Sequence, residues 1–172
     1  MFSRIKARFN DMGTIGTLCT EAEQHALRDQ QREPGAEHFL LAALDLPDGT
    51  ARRAFEEVGA DPAALKHAIA RQYGDALAAI GLDIGSPLAA AAGQEQLVAK
   101  PGAFNASASG QEVMQALAAS RSQHGPLLGA HVVAIVAAMP HGVAARALRA
   151  MGVDPGQLKS AAEAVARADA QP

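Results

Sequence analysis

The residues of this 172-residue chain with reactive side chains are few: six histidines, one cysteine and a handful of serines. His38 and His131 lie 93 residues apart. Each stands at the expected start of a helix, with no second metal ligand at the i, i+4 spacing that would put two imidazoles or an imidazole and a carboxylate on one face. No H-E-x-x-H or paired-cysteine motif occurs, so no metal and no cofactor is expected, and the two histidines are read as satisfying backbone groups. Cys19 falls on an apolar helical stripe, six positions before His25. That spacing keeps the two off one helical face, so a buried structural thiol is expected rather than a thiolate–imidazole nucleophile. Ser107, Ser109 and Ser120 have no acidic or histidine pattern beside them and suit loop and N-cap hydrogen bonds. Glu37 precedes His38 at a helix start, where a carboxylate favours the positive end of the helix dipole and can serve as a cap. No catalytic residue emerges, and the chain is expected not to be an enzyme.

Composition narrows the classes further. Hydrophobic residues make up 49% of the chain but aromatic residues only 3%, with no Trp, so the core must be built from aliphatic side chains and the balance favours helix over strand. The net charge is −3, and lysine occurs only at Lys6, Lys66, Lys100 and Lys159. There is no basic stripe to neutralise a phosphate backbone, and nucleic acid is not an expected partner. Arg4, Lys6 and Arg8 have no apolar segment behind them that would make a secretory signal and read as a solvated tail or frayed first turn. No apolar run approaches the roughly 18 residues a membrane span requires, so no membrane partner is expected. A single cysteine fits a reducing, cytoplasmic setting.

An internal repeat sets the architecture. The segment from His38 to Lys66 aligns without a gap to the segment from His131 to Lys159. The match includes Pro47/Pro140, Gly49/Gly142, Arg53/Arg146, Gly59/Gly152, Asp61/Asp154 and Pro62/Pro155, and chance similarity between Ala-rich helices would not bring Gly and Pro into register. The Pro-x-Gly triplets break the chain between helices, Gly59 and Gly152 suit left-handed helix ends, and Asp-Pro reads as an N-cap followed by proline at the first helical position. Between them Ala51, Ala54, Phe55 and Val58 form an i, i+3, i+4, i+7 stripe, matched by Ala144, Ala147, Leu148 and Met151. Longer helices are expected upstream of each copy, at roughly 11–31 and 109–123, with Ile15, Leu18, Cys19, Ala22 and Ala26 on one face of the first. The expected organisation is one domain over 1–172: a first repeat at about 11–73, a connection at about 74–104 and a second repeat at about 105–169. The connection contains Gly81, Gly85, Ser86-Pro87, an Ala run at 89–92 and Pro101-Gly102. A small helical repeat exposes an apolar face that only a neighbour can cover, so the two copies should pack as a pseudo-twofold all-α globule of about eight helices.

The segment Gly35-Ala36-Glu37-His38-Phe39-Leu40-Leu41, followed by Ala51 through Asp61, resembles the Clp N-terminal repeat, which reads G-T-E-H-h-L-L and then A-x-x-h-L-x-x-h-G-h-D with h apolar. Gly129-Ala130-His131-Val132 and Ala145 through Asp154 match more loosely. In Clp-family unfoldases this double repeat receives substrates and adaptors ahead of an ATP-driven motor. The resemblance implies a non-catalytic module that binds peptides, unfolded or phosphoarginine-marked proteins, or a Clp-family unfoldase or adaptor. No G-x-x-x-x-G-K-[ST] phosphate loop occurs in the sequence, so the reading is of a module without the motor, either a small natural protein or an excised domain. In some relatives the glutamate of the E-H pair helps hold phosphorylated arginine, as a carboxylate suits a planar guanidinium. Glu37 keeps that position and Ala130 has lost it, which puts a two-site phosphoarginine mechanism in doubt. The alternative is a sequestering or regulatory protein that captures small molecules such as peptide antibiotics.

Overall fold

The computed structural model describes residues 2–81, 105–123 and 125–170. These residues form eight α-helices: α1 (Phe2–Arg28), α2 (Ala36–Asp45), α3 (Thr50–Glu57), α4 (Ala64–Ala79), α5 (Ala108–Ser120), α6 (Gly129–Ala138), α7 (Val143–Ala150) and α8 (Pro155–Asp169). A 3₁₀ turn, Arg121–Gln123, follows α5, and no strand occurs among the described residues. α6 and α7 begin and end 93 residues after α2 and α3, so the register read from Gly and Pro is also the register of the backbone.

The punctuation works as its chemistry requires, with one difference between the copies. Gly59 and Gly152 adopt φ 68° and 72°, the left-handed conformation that ends α3 and α7. Asp154 caps α8, its carboxylate accepting the Gln157 N–H at 2.7 Å, with Pro155 at the first helical position. In the first copy the Asp61 carboxylate accepts from Ala63 instead, at 2.9 Å, and α4 begins only at Ala64. The Asp-Pro signal there makes a turn before the helix. α4 also continues past Tyr73 to Ala79, six residues into the segment expected as a connection. Gly85, Ser86-Pro87, the alanines at 89–92 and Pro101-Gly102 lie outside the described residues. At the other end, the backbone is helical from Phe2 rather than a tail.

Packing runs within each copy, where α1 lies on α2 and α8 on α6, and by exchange between the copies. α3 lies on α8, α4 lies on α7, and α2 and α6 cross at the centre of the bundle. Phe39, Leu40, Phe55, Leu65 and Ile69 from the first copy share one interior with Val132, Val133, Leu148 and Leu158 from the second. All nine side chains are fully buried, each contributing roughly 1.5–3 kcal/mol relative to exposure. The matched arginines brace the same exchange from outside: Arg53 reaches Asp169 on α8 at 2.7 Å, and Arg146 donates to Gln72 on α4 at 3.2 Å. Both are exposed, so each is worth no more than about 1 kcal/mol. No single helix among the described residues is long and apolar enough to cross a membrane; α6 and α7 reach that composition only as a pair bent by 92°.

The helix starts at the centre are also capped across the copies. Ser109 of α5 accepts the Ala36 N–H at 3.1 Å. Asp48 and Thr50 accept the N–H groups of Gly129 and Ala130 at 3.1 and 2.9 Å, placing a carboxylate and a hydroxyl on the positive end of α6. This approach requires Gly129 to lack a side chain, because a Cβ there would come within 2.9 Å of the Ala43 carbonyl oxygen and 3.1 Å of the Ala51 methyl. Gly110 is under a stricter constraint, with the Pro34 carbonyl oxygen 2.3 Å from where its Cβ would be. Gly110→Ala is therefore expected to destabilise the fold by about 1–3 kcal/mol or more, despite the better helix propensity of alanine. Urea denaturation checks this, and an unchanged or raised midpoint would contradict the close approach.

Candidate functional site

Each copy starts its central helix with a histidine that turns back on the backbone. The Gly35 N–H donates to His38 Nδ1 at 2.9 Å, and the Leu128 N–H donates to His131 Nδ1 at 3.0 Å. Both imidazoles are buried and satisfy an amide that helix geometry leaves without a partner. The capping role thus belongs to the histidines, as their expected reading had it. Glu37 does not cap the helix backbone; it remains in the first turn of α2, favourable for the dipole.

Around the shared histidine the copies diverge. Glu37 is buried, and its Oε1 accepts the Tyr73 hydroxyl at 2.5 Å, a short charge-assisted bond from α4 to α2. The Tyr73 ring is stacked on His38 with centroids 6.2 Å apart and planes within 10°. Because Nδ1 accepts from Gly35, neutral His38 carries its proton on Nε2. That nitrogen lies 3.3 Å from the Asp29 carboxylate but is not aligned with it for a hydrogen bond. Gly35 leaves room for the Glu37 carboxylate, whose oxygen would be 2.6 Å from a Cβ at that position. In the second copy Leu128 replaces Gly35, Ala130 replaces Glu37, and Ala166 stands 93 residues after Tyr73. The glycine, the glutamate and the tyrosine are absent together, as expected if the glycine serves the carboxylate and the carboxylate serves the phenol.

This replacement reshapes the second copy. With alanines at 130, 162 and 166, α8 lies along α6 over far more of its length than α4 lies along α2. Beside that contact is an open groove of about 300 Å³ between the end of α5, α6 and α8, floored by Ala130, Ala134, Ile135 and Ala166, with Lys159 and Glu163 among its lining residues. A second cavity, about 210 Å³, lies between α1 and α5, where Ile15, Met114, Leu117 and Leu127 face Asp11 and Arg121. Asp11 also accepts the Leu127 N–H at 2.8 Å.

The remaining candidates have structural work. Cys19 is buried beside the core, and burial together with the Glu23 carboxylate pushes its thiol up to about 11, away from nucleophilic use. Ser107 caps α5 by accepting from Gly110, Ser109 caps α2, and Ser120 donates to the Ala116 carbonyl. One cluster was not read from sequence: Glu21, His25 and Asp45 bring ligand-type atoms within 4.8 Å of one another. Its signal was the i, i+4 spacing of Glu21 and His25. His25 Nε2 lies 2.7 Å from Asp45, and the Arg52 guanidinium sits 3.6 Å from the same carboxylate, so the cluster works as a polar clasp between α1 and α2. Tyr73 was also missed; it is the chain's one tyrosine, and its counterpart in the repeat register is alanine.

Two measurements follow. Burial, the Glu37 bond and the charges of Glu37 and Asp29 hold the Tyr73 hydroxyl well above its ordinary 10, only partly offset by Arg146. Ultraviolet titration of the native protein should therefore show no phenolate near pH 10. Stability should fall as pH rises above about 10, because the unfolded chain releases the phenol proton there and the folded chain retains it. Tyr73→Phe leaves the carboxylate buried without its donor and should cost about 1–3 kcal/mol; phenolate formation near 10 in the folded protein would contradict the contact. For Cys19, reaction with a thiol reagent at pH 8 should be on the order of a hundredfold slower than for a free thiol, and native-state reaction at the free-thiol rate would contradict its burial.

No curated protein matches the chain. A family model, the Clp repeat (R) N-terminal domain, matches residues 17–95, which hold the first copy with its Glu37–His38 pair. That family is one of non-catalytic binding domains. Residues 17–95 are thus similar to the Clp repeat (R) N-terminal domain family, in keeping with the all-helical architecture of the described residues.

Proposed function

We propose that the chain is a receiving module of Clp-type protein handling, binding peptide or unfolded polypeptide segments, or a Clp-family unfoldase or adaptor, without catalysing a reaction itself. The observation that carries this reading is the match over residues 17–95. The geometry supports it in two ways. His25, His38 and His131 are committed to hydrogen bonds and Cys19 to the core, and the second copy offers an open, largely apolar groove. Phosphoarginine recognition would fall to Glu37 alone, and a guanidinium would have to displace the Tyr73 hydroxyl from the carboxylate. On this reading Tyr73→Phe strengthens the binding of an arginine-phosphorylated peptide several-fold and Glu37→Gln weakens it at least tenfold, measured by calorimetry. If the chain captures neither a Clp unfoldase, nor a permanently unfolded protein, nor an arginine-phosphorylated peptide, the reading fails.

The cavity between α1 and α5, apolar with one acid and one base at its edge, favours a second reading: capture of a small molecule such as a peptide antibiotic. A compound bound only by the folded state raises the melting temperature with concentration. Such a shift, lost on Leu117→Arg, would support this reading over the first.

A further inference from the structure

The first copy contains a template for what the groove of the second copy accepts. In the first copy, the space over the helix-start histidine is filled by a phenol ring carried on α4, stacked on His38 and anchored on Glu37. In the second copy the histidine and its backbone bond are kept, while the ring and its anchor are both reduced to methyl groups at Ala166 and Ala130. The buried positions preceding the ring agree in register, Leu65 and Ile69 matching Leu158 and Ala162, while α8 lies along α6 over more of its length than α4 lies along α2. What remains is the groove of about 300 Å³ in which Ala130, His131 and Ala166 are lining residues. An apolar cavity of roughly 150 Å³ suffices to take up benzene, and aromatic side chains gain most from burial of this kind.

We propose that this groove receives an aromatic side chain presented by an extended polypeptide segment, in the place that Tyr73 fills in the first copy. Ala130, Ala134, Ile135 and Ala166 give the ring apolar walls. Lys159 and Glu163, 3.8 Å apart, leave charges of both signs beside it, so the peptide backbone can stay solvated and its net charge matters little. No carboxylate stands at position 130, so phenylalanine is accepted at least as well as tyrosine. The inference deepens the reading of the chain as a receiver of polypeptide and rests on it.

The test is a methyl-detected NMR titration of the full chain with N-acetyl-phenylalaninamide and N-acetyl-alaninamide, alongside binding of carboxymethylated lactalbumin as a permanently unfolded protein. The aromatic amide is expected to shift the Ala134, Ile135 and Ala166 methyls saturably and at least tenfold more tightly than the alanine amide. Ala166→Tyr, which rebuilds the first copy's ring, is expected to abolish those shifts and weaken lactalbumin binding at least fivefold. Ala134→Leu fills the same groove from α6 and serves if the tyrosine variant does not fold. Equal binding of the two amides, or shifts that survive in a folded groove-filling variant, would overturn the proposal. If lactalbumin binds and its affinity is indifferent to both variants, the aromatic groove falls while the receiving function stands; if lactalbumin does not bind at all, the groove proposal falls, and the receiving function falls with it only when a Clp unfoldase and an arginine-phosphorylated peptide also fail to bind.

Discussion

Each copy of the repeat needs the other to finish covering its apolar faces. The stripe on α3 is covered by α8 and the face of α4 by α7, with α2 and α6 in contact between them, so each half completes the interior of the other. The conserved punctuation of the two copies follows from this dependence. The left-handed glycines at 59 and 152 turn the chain sharply enough for the last helix of each copy to reach the partner copy. Gly129 and Gly110 let backbones approach where any side chain would collide with a carbonyl oxygen. The cross-copy caps at Ala36, Gly129 and Ala130 tie the amides of each central helix to groups from the other half.

On this shared frame the two helix starts have taken different forms. His38 and His131 keep the same bond to the backbone, which is a requirement of the helix and independent of any ligand. The difference lies in what surrounds them. Gly35, Glu37 and Tyr73 form a closed polar contact that holds α4 to α2, whereas Leu128, Ala130 and Ala166 let α8 settle along α6 and leave an open groove beside it. A carboxylate already bonded to a phenol and an apolar groove offer different chemistry, so the two halves present different surfaces even though their backbones correspond.

Much of this was legible in the sequence because it depended on local chemistry. Gly, Pro and Asp in register located the turns, and 3.6-residue spacing identified buried faces such as Ala51, Ala54 and Phe55. The role of the histidines as backbone partners also followed from their place at a helix start. What could not be read was set by contacts between distant segments. Glu37 was expected as a cap, but its partner is Tyr73 on another helix. Asp61-Pro62 and Asp154-Pro155 look identical, yet one makes a turn and the other starts a helix. The groove depends on two alanines, 130 and 166, whose meaning appears only beside the glutamate and tyrosine they replace.

The claim on which the rest depends is that the two copies share one interior. Urea unfolding can be followed at two places at once: by the fluorescence of Tyr73, the sole tyrosine in a chain without tryptophan, and by the methyl resonances of Val132 and Val133 in the second copy. Coincident transitions with one midpoint are predicted. Separate midpoints, with the valine methyls keeping native shifts after the tyrosine signal is lost, would contradict the exchange of helices between the halves.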